Sequence, residues 1–178
     1  HEHPVVANSL NNLGFLLQDL GKLSDAEQVH REALAMRIKL LGPGHPDTWV
    51  SMNNLASVLQ EQRQFDEAEK LYRDVLAERR RRLNGAHPHL ALSLDNLAAL
   101  LAKQDRLDEA ESLSREALTT YRKAYGATNR MVAPALRQLA GVLRKQGKTE
   151  ESDRLEAEAA AIAPPQPQPA AAPGPTTK

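Results

Sequence analysis

The sequence predicts an all-α protein built as a solenoid of about four antiparallel helix pairs, and three observations carry that prediction. A block of residues returns at a constant shift of 42, apolar residues within each block fall at helical spacing, and proline and glycine mark the block ends. The shift takes His3-Pro4 to His45-Pro46 and His87-Pro88, and Leu13 to Leu55, Leu97 and Leu139. It also takes Ala26 to Ala68 and Ala110, Ala33 to Val75, Ala117 and Ala159, and Gly21 to Arg63, Asp105 and Gly147. Units of this length bury a core only by stacking on neighbours. The copies read as residues 3–44, 45–86, 87–128 and a worn 129–162, within an array spanning 1–162.

Within the first copy, Pro4 suits a first helical position, because its φ is fixed and its missing N–H has no partner to lose there. Leu10, Leu13, Leu16, Leu17 and Leu20 then follow at helical spacing and define the first helix of the pair. Gly21-Lys22 makes the turn, and Ser24 or Asp25 is placed to cap the second helix, whose stripe is Ala26, Val29, Ala33, Leu34 and Leu40. That helix stops at Leu41-Gly42-Pro43-Gly44. Small residues at 26 and 33 let the two helices approach closely, and a bulky replacement would cost about 1–3 kcal/mol. From 163 to 178 the run "APPQPQPAAAPGPTTK" cannot form a helix and is expected to be a disordered, locally polyproline tail. The preceding "ESDRLEAEAAAI" is polar and alanine-rich, as the closing helix of a solenoid should be.

The composition narrows the function. The 178 residues, 41% of them hydrophobic, suffice for one ordinary domain. With 23 basic and 23 acidic residues there is no bulk charge to draw the chain to nucleic acid or anionic lipid, and aromatics at 3% are too few for a base-stacking surface. No cysteine is present, which removes disulfides, thiolate metal sites and a cysteine nucleophile, and fits a reducing, cytoplasmic setting. No apolar run approaches the ~18 residues of a membrane span, and "HEHPVVANSL" lacks the features of a signal peptide. Because it opens on His1, inside the repeated pattern, the chain reads as a fragment of a larger multidomain protein.

The stretch "SLNNLGFLLQDLGKLSDAEQVHREAL" resembles a tetratricopeptide repeat: Leu13-Gly14 match the small-residue pair of the first helix, Gly21 the turn, Ala26 and Ala33 the alanines of the second helix. The 42-residue period, with "LGPGHPD" joining copies, resembles the long variant of kinesin light chains. The resemblance covers residues 3–162 and departs in the last copy, where Asn129-Arg130 replace His-Pro and Ser152 replaces an alanine. It implies a right-handed superhelix whose first helices line a concave groove. Carried over, the groove positions are Asn8, Asn11, Asn12, Phe15, Gln18 and Asp19, then Val50, Asn53, Asn54, Ser57, Gln60 and Glu61. The third copy supplies Leu92, Asp95, Asn96, Ala99, Ala102 and Lys103, and the fourth Pro134, Arg137, Gln138, Gly141, Arg144 and Lys145.

Asparagine is an indifferent helix former, so its recurrence in mid-helix needs a reason. A row of amides satisfies the backbone of an extended peptide whatever its side chains, or else bonds to the next repeat and holds the stack, and the sequence leaves both readings open. Along the groove the charge changes sign, from Asp19, Glu61 and Asp95 to Lys103, Arg137, Arg144 and Lys145, so a ligand with an acidic segment should favour the basic end. Asn11 and Phe15 stand where relatives that grip a terminal carboxylate carry a lysine and an asparagine, which argues against that activity.

The remaining features have ordinary explanations. The His-Pro units recur at inter-repeat turns and do not share a helical face as metal ligands would, and His30 suits the core of a helix pair. Residues Arg79 to Arg82 point around a helix end rather than forming one stripe. No phosphate-binding loop, nucleophile elbow or metalloprotease motif occurs, and the Asp and Glu residues fall beside Lys and Arg at helical spacing. The sequence therefore points to a non-catalytic interaction scaffold without metal or cofactor. It would bind a protein or peptide ligand, not nucleic acid or membrane. The rival reading is a spacer array that associates with itself through an open N-terminal end.

Overall fold

The computed structural model describes residues 3–83 and 85–162. The proline-rich segment lies outside the described residues. Among those described, the chain forms helix pairs without strands: α1 (Pro4–Asp19) with α2 (Leu23–Leu41), α3 (Pro46–Glu61) with α4 (Phe65–Arg82), α5 (Pro88–Lys103) with α6 (Leu107–Tyr125), and α7 (Ala133–Lys145) with α8 (Thr149–Ile162). A short 3-10 turn, Arg130–Val132, precedes α7. Each helix packs on the next, and α1 also touches α3 and α5 touches α7, which is how a solenoid closes its core.

The His-Pro units are the helix starts. Nδ1 of His3, His45 and His87 accepts a hydrogen bond from the amide two residues on, at 3.2 Å in each case, and proline fills the first helical position. In the fourth copy Asn129 Oδ1 does the same work, accepting from the Met131 amide at 3.0 Å. The second helices behave differently from the expectation. Neither Ser24 nor Asp25 caps α2, because the helix already begins at Leu23 with Lys22 in the capping position and no side-chain bond.

That early start follows from the turn. Gly21 adopts φ +72°, its amide donates to the Gln18 carbonyl at 2.9 Å, and the Lys22 amide donates to Leu17 at 2.8 Å, which satisfies the last carbonyls of α1. The same turn recurs at Arg63 (φ 63°), Asp105 (φ 62°) and Gly147 (φ 79°). A left-handed conformation is costly for a side chain with a Cβ and least so for Asn and Asp. Arg63→Gly should therefore raise stability by about 0.5–1 kcal/mol, and Asp105→Gly by less, in thermal or urea unfolding.

One buried cluster runs through Leu55, Leu59, Leu94, Leu97 and Leu101 and a second surrounds Leu139 in the last pair, with Ala26, Ala33, Ala68, Ala110, Ala117 and Ala159 buried on the second helices. At the N-terminal end the pattern opens. Leu13 is 45% exposed, whereas its counterparts Leu55, Leu97 and Leu139 are 1%, 0% and 1% exposed, because only they lie against a preceding second helix.

The exposed faces of the second helices carry a ladder of ion pairs. Arg31 reaches Glu67 at 2.8 Å, Arg73 reaches Glu109 at 3.3 Å and Arg115 reaches Glu151 at 2.8 Å, each arginine also bonding the glutamate four residues before it. The arginine run of α4 is divided among such partners: Arg79 is buried and donates to the His89 carbonyl, Arg80 meets Glu116, and Arg81 and Arg82 meet Glu78.

Candidate functional site

The first helices α1, α3, α5 and α7 carry the proposed groove residues at matching positions, one repeat apart. Their environments differ. Asn11 is buried at the junction of two pairs, 3.0 Å from both the Ser51 hydroxyl and an Arg37 nitrogen and 3.3 Å from His30 Nδ1. Its amide oxygen accepts from Ser51 and Arg37 and its nitrogen donates to His30, whose burial lowers its pKa and keeps the imidazole neutral. Gly14 makes room for that ring, since a Cβ there would come within 2.4 Å of it. Arg37 also donates to the Asp47 carbonyl and to Asn8 Oδ1, both at 2.6 Å. Asn11 and Asn8 thus hold the stack together.

One repeat on, Arg79 makes the equivalent bonds, to the His89 carbonyl and the Ser93 hydroxyl, both at 2.7 Å. In the sequence, Arg79 reads only as part of the Arg79 to Arg82 run and Arg37 is passed over, although Arg37 and Arg79, and with them Ser51 and Ser93, recur at the 42-residue shift and so carry a signal. Asn53 donates to the Trp49 carbonyl of its own helix at 2.9 Å, and its oxygen is left without a partner. The Nδ2 of buried Asn54 and the Oε1 of half-buried Gln60 are also unpartnered, while Asn12 is exposed and Asn96 half-buried.

Asp95 takes the register position of Asn11 and Asn53 and is 9% exposed. The Tyr121 hydroxyl donates to it, yet burial dominates and pushes its pKa up to about 7. Gln138 donates to the Asp95 backbone carbonyl at 2.7 Å and ties α7 to α5.

The basic set does not stay together. Lys103 and Lys145 border one shallow cleft with Gln60, and Lys145 donates to the Ala102 carbonyl at 2.8 Å, at the end of α5. Arg137 is exposed on α7, but Arg144 turns to Asp153 of α8 at 3.0 Å. Between these polar groups, three large apolar side chains at groove positions stand open: Phe15 at 47%, Val50 at 42% and Leu92 at 43% exposure.

Among the described residues no helix is long and apolar enough to cross a membrane, and no group of three or more His, Asp or Glu is arranged to hold a metal ion. None of the curated proteins compared matches the chain. A crystal structure of kinesin light chain nearly identical TPR-like repeats from Podosopora anserina is 25% identical, with a TM-score of 0.74 over 90% of this chain and 76% of that one. A variant of the same protein gives 24% identity and a TM-score of 0.77 over the same shares. BtubC (BKLC) from P. vanneervenii, at 19% identity, covers 100% of this chain and 73% of its own with a TM-score of 0.79, and shares the fold. The helix pairs thus form the right-handed superhelical solenoid that the repeat implied. A family model described as Tetratricopeptide repeat matches residues 5–81, 50–123 and 89–164 in overlapping stretches. The chain belongs to the tetratricopeptide repeat family, whose fold serves generally as a protein-interaction scaffold.

Proposed function

We propose that the array is a non-catalytic cytoplasmic scaffold that holds a peptide or partner helix in the groove lined by α1, α3, α5 and α7. One observation carries the reading: Phe15 of α1, Val50 of α3 and Leu92 of α5, all at groove positions, leave large apolar side chains exposed on successive first helices. Exposed apolar groups of this size along one face are what a partner covers with gain. Exposed Asn12 and half-buried Asn96 supply backbone capture, while the unpartnered atoms of Asn53 and Asn54 lie buried and Asn11 is committed to the stack. Lys103, Arg137 and Lys145 favour an acidic segment of the ligand at the C-terminal half.

A pulldown from lysate tests this, with the wild-type array beside Asn12→Ala/Asn96→Ala and a control, Arg73→Ala, on the ladder. After circular dichroism shows equal helicity, partners should be kept by wild type and control and lost by the groove variant. Equal capture by all three would make the asparagines architectural.

The rival reading, a self-associating spacer, is favoured by the open end of α1, where Leu13 and Leu16 are 45% and 61% exposed. Light scattering separates the two: a spacer gains mass with concentration and loses that gain in Leu16→Asp, whereas a receptor stays monomeric.

A further inference from the structure

The ladder between second helices has a second series of rungs. Arg80 of α4 meets Glu116 of α6 at 2.6 Å, and Arg122 of α6 meets Glu158 of α8 at 2.5 Å. One repeat earlier the same two register positions hold Ile38 and Asp74, so the rung between α2 and α4 is missing. Ile38 is 43% exposed, and Asp74 turns instead to Lys70 on its own helix at 2.8 Å. The same junction departs from the repeat a second time. Trp49 occupies a register position that is a fully buried alanine in the other copies, Ala7, Ala91 and Ala133.

Where the rung is absent, a cavity of about 430 Å³ opens between α2 and α4. Leu34, Ile38, Trp49, Met52 and Leu71 form its apolar wall, and Asp74 stands at its edge. Trp49 is only 4% exposed, its indole N–H has no hydrogen-bond partner, and the Arg82 guanidinium lies 5.5 Å from its ring. One repeat later the cleft beside Gly85, Ala86 and Leu90 is walled on the second-helix side by Arg115, Glu116, Thr119, Thr120 and Lys123, and it lacks the apolar wall that Ile38, Trp49, Met52 and Leu71 give the earlier cavity. A periodic protein that drops an ion pair and adds its one tryptophan at a single junction has broken its own rule there, and such breaks mark sites.

We infer that this cavity is a second binding site, on the side of the second helices, for a partner segment carrying a large apolar side chain next to an arginine or lysine. The apolar group fills the space walled by Ile38, Trp49 and Leu71. The cation bonds Asp74 as Arg80 bonds Glu116, and so supplies the absent rung. Lys70 does not prevent this, since its pair with Asp74 is exposed, at 74% and 48%, and pairs of that kind exchange at little cost. The site is independent of the groove on the first helices.

Trp49 is the chain's only tryptophan, so its emission reports on this cavity. The test titrates the full chain with a short end-blocked peptide containing leucine and arginine, and with the same peptide carrying glutamate for arginine. The arginine peptide should shift the emission saturably, and both the glutamate peptide and the Asp74→Asn variant should bind about tenfold more weakly. Ile38→Arg rebuilds the rung from within: it should raise the melting temperature by about 1–3 °C and abolish the response. An unchanged emission with either peptide, equal responses to both, or undiminished binding by Ile38→Arg would overturn the inference.

Discussion

Replacing Asp95 with asparagine should raise the unfolding free energy at about pH 8 by on the order of 4 kcal/mol, an advantage that shrinks to less than half near pH 5. The carboxyl is 9% exposed and burial pushes its pKa up to about 7, whereas the unfolded chain ionises it at its ordinary value of 3.8. Between those values the unfolded state binds fewer protons than the folded one, so stability falls as pH rises. The cost is absent below the unfolded pKa and complete above the folded one. The amide keeps the hydrogen-bonding capacity of the protonated acid and does not titrate. Urea midpoints of both proteins at the two pH values measure the effect. A difference that does not change with pH would show that Asp95 reaches water.

The second large effect compares one register position in two places. Leu97→Ala should cost about 3–4 kcal/mol and Leu13→Ala less than about 1 kcal/mol, although the residues are equivalent in sequence. Leu97 is 0% exposed, held between its own pair and the preceding second helix, while Leu13 is 45% exposed on the open end. Truncation leaves a cavity in the first case and a slightly smaller surface in the second. Equal losses in urea unfolding would mean that the end of α1 is covered in solution, and would favour self-association.

Much of the fold was legible because it rests on local rules repeated several times. Proline after histidine marks each of three helix starts, alanines mark the close contacts, and His30 sits in the core as its apolar surroundings suggest. The second-helix start was misread because the chain satisfies the end of α1 through backbone bonds at a left-handed residue, which leaves no place for a side-chain cap. The groove was legible as a register but not as chemistry. Asn11 and Asn53 hold the same position, yet Asn11 meets Ser51, Arg37 and His30 while Asn53 bonds its own helix. What each amide touches depends on residues from other helices. Likewise Arg144 reads as a groove cation until α8 brings Asp153 beside it, and Asp95 reads as a groove acid until the packing of α5 buries it.

The central claim is that ligands are held on the first helices. Site-specific photocrosslinking in lysate tests it most directly, with a photoreactive residue placed in turn at Asn12, Leu92 and Asn96 in the groove and at Gln28 and Ser112 on the exposed second helices. The account predicts a discrete protein adduct from the groove positions that Gln28 and Ser112 do not give. Adducts from the second helices alone would contradict it and move the binding surface to the other side of the array.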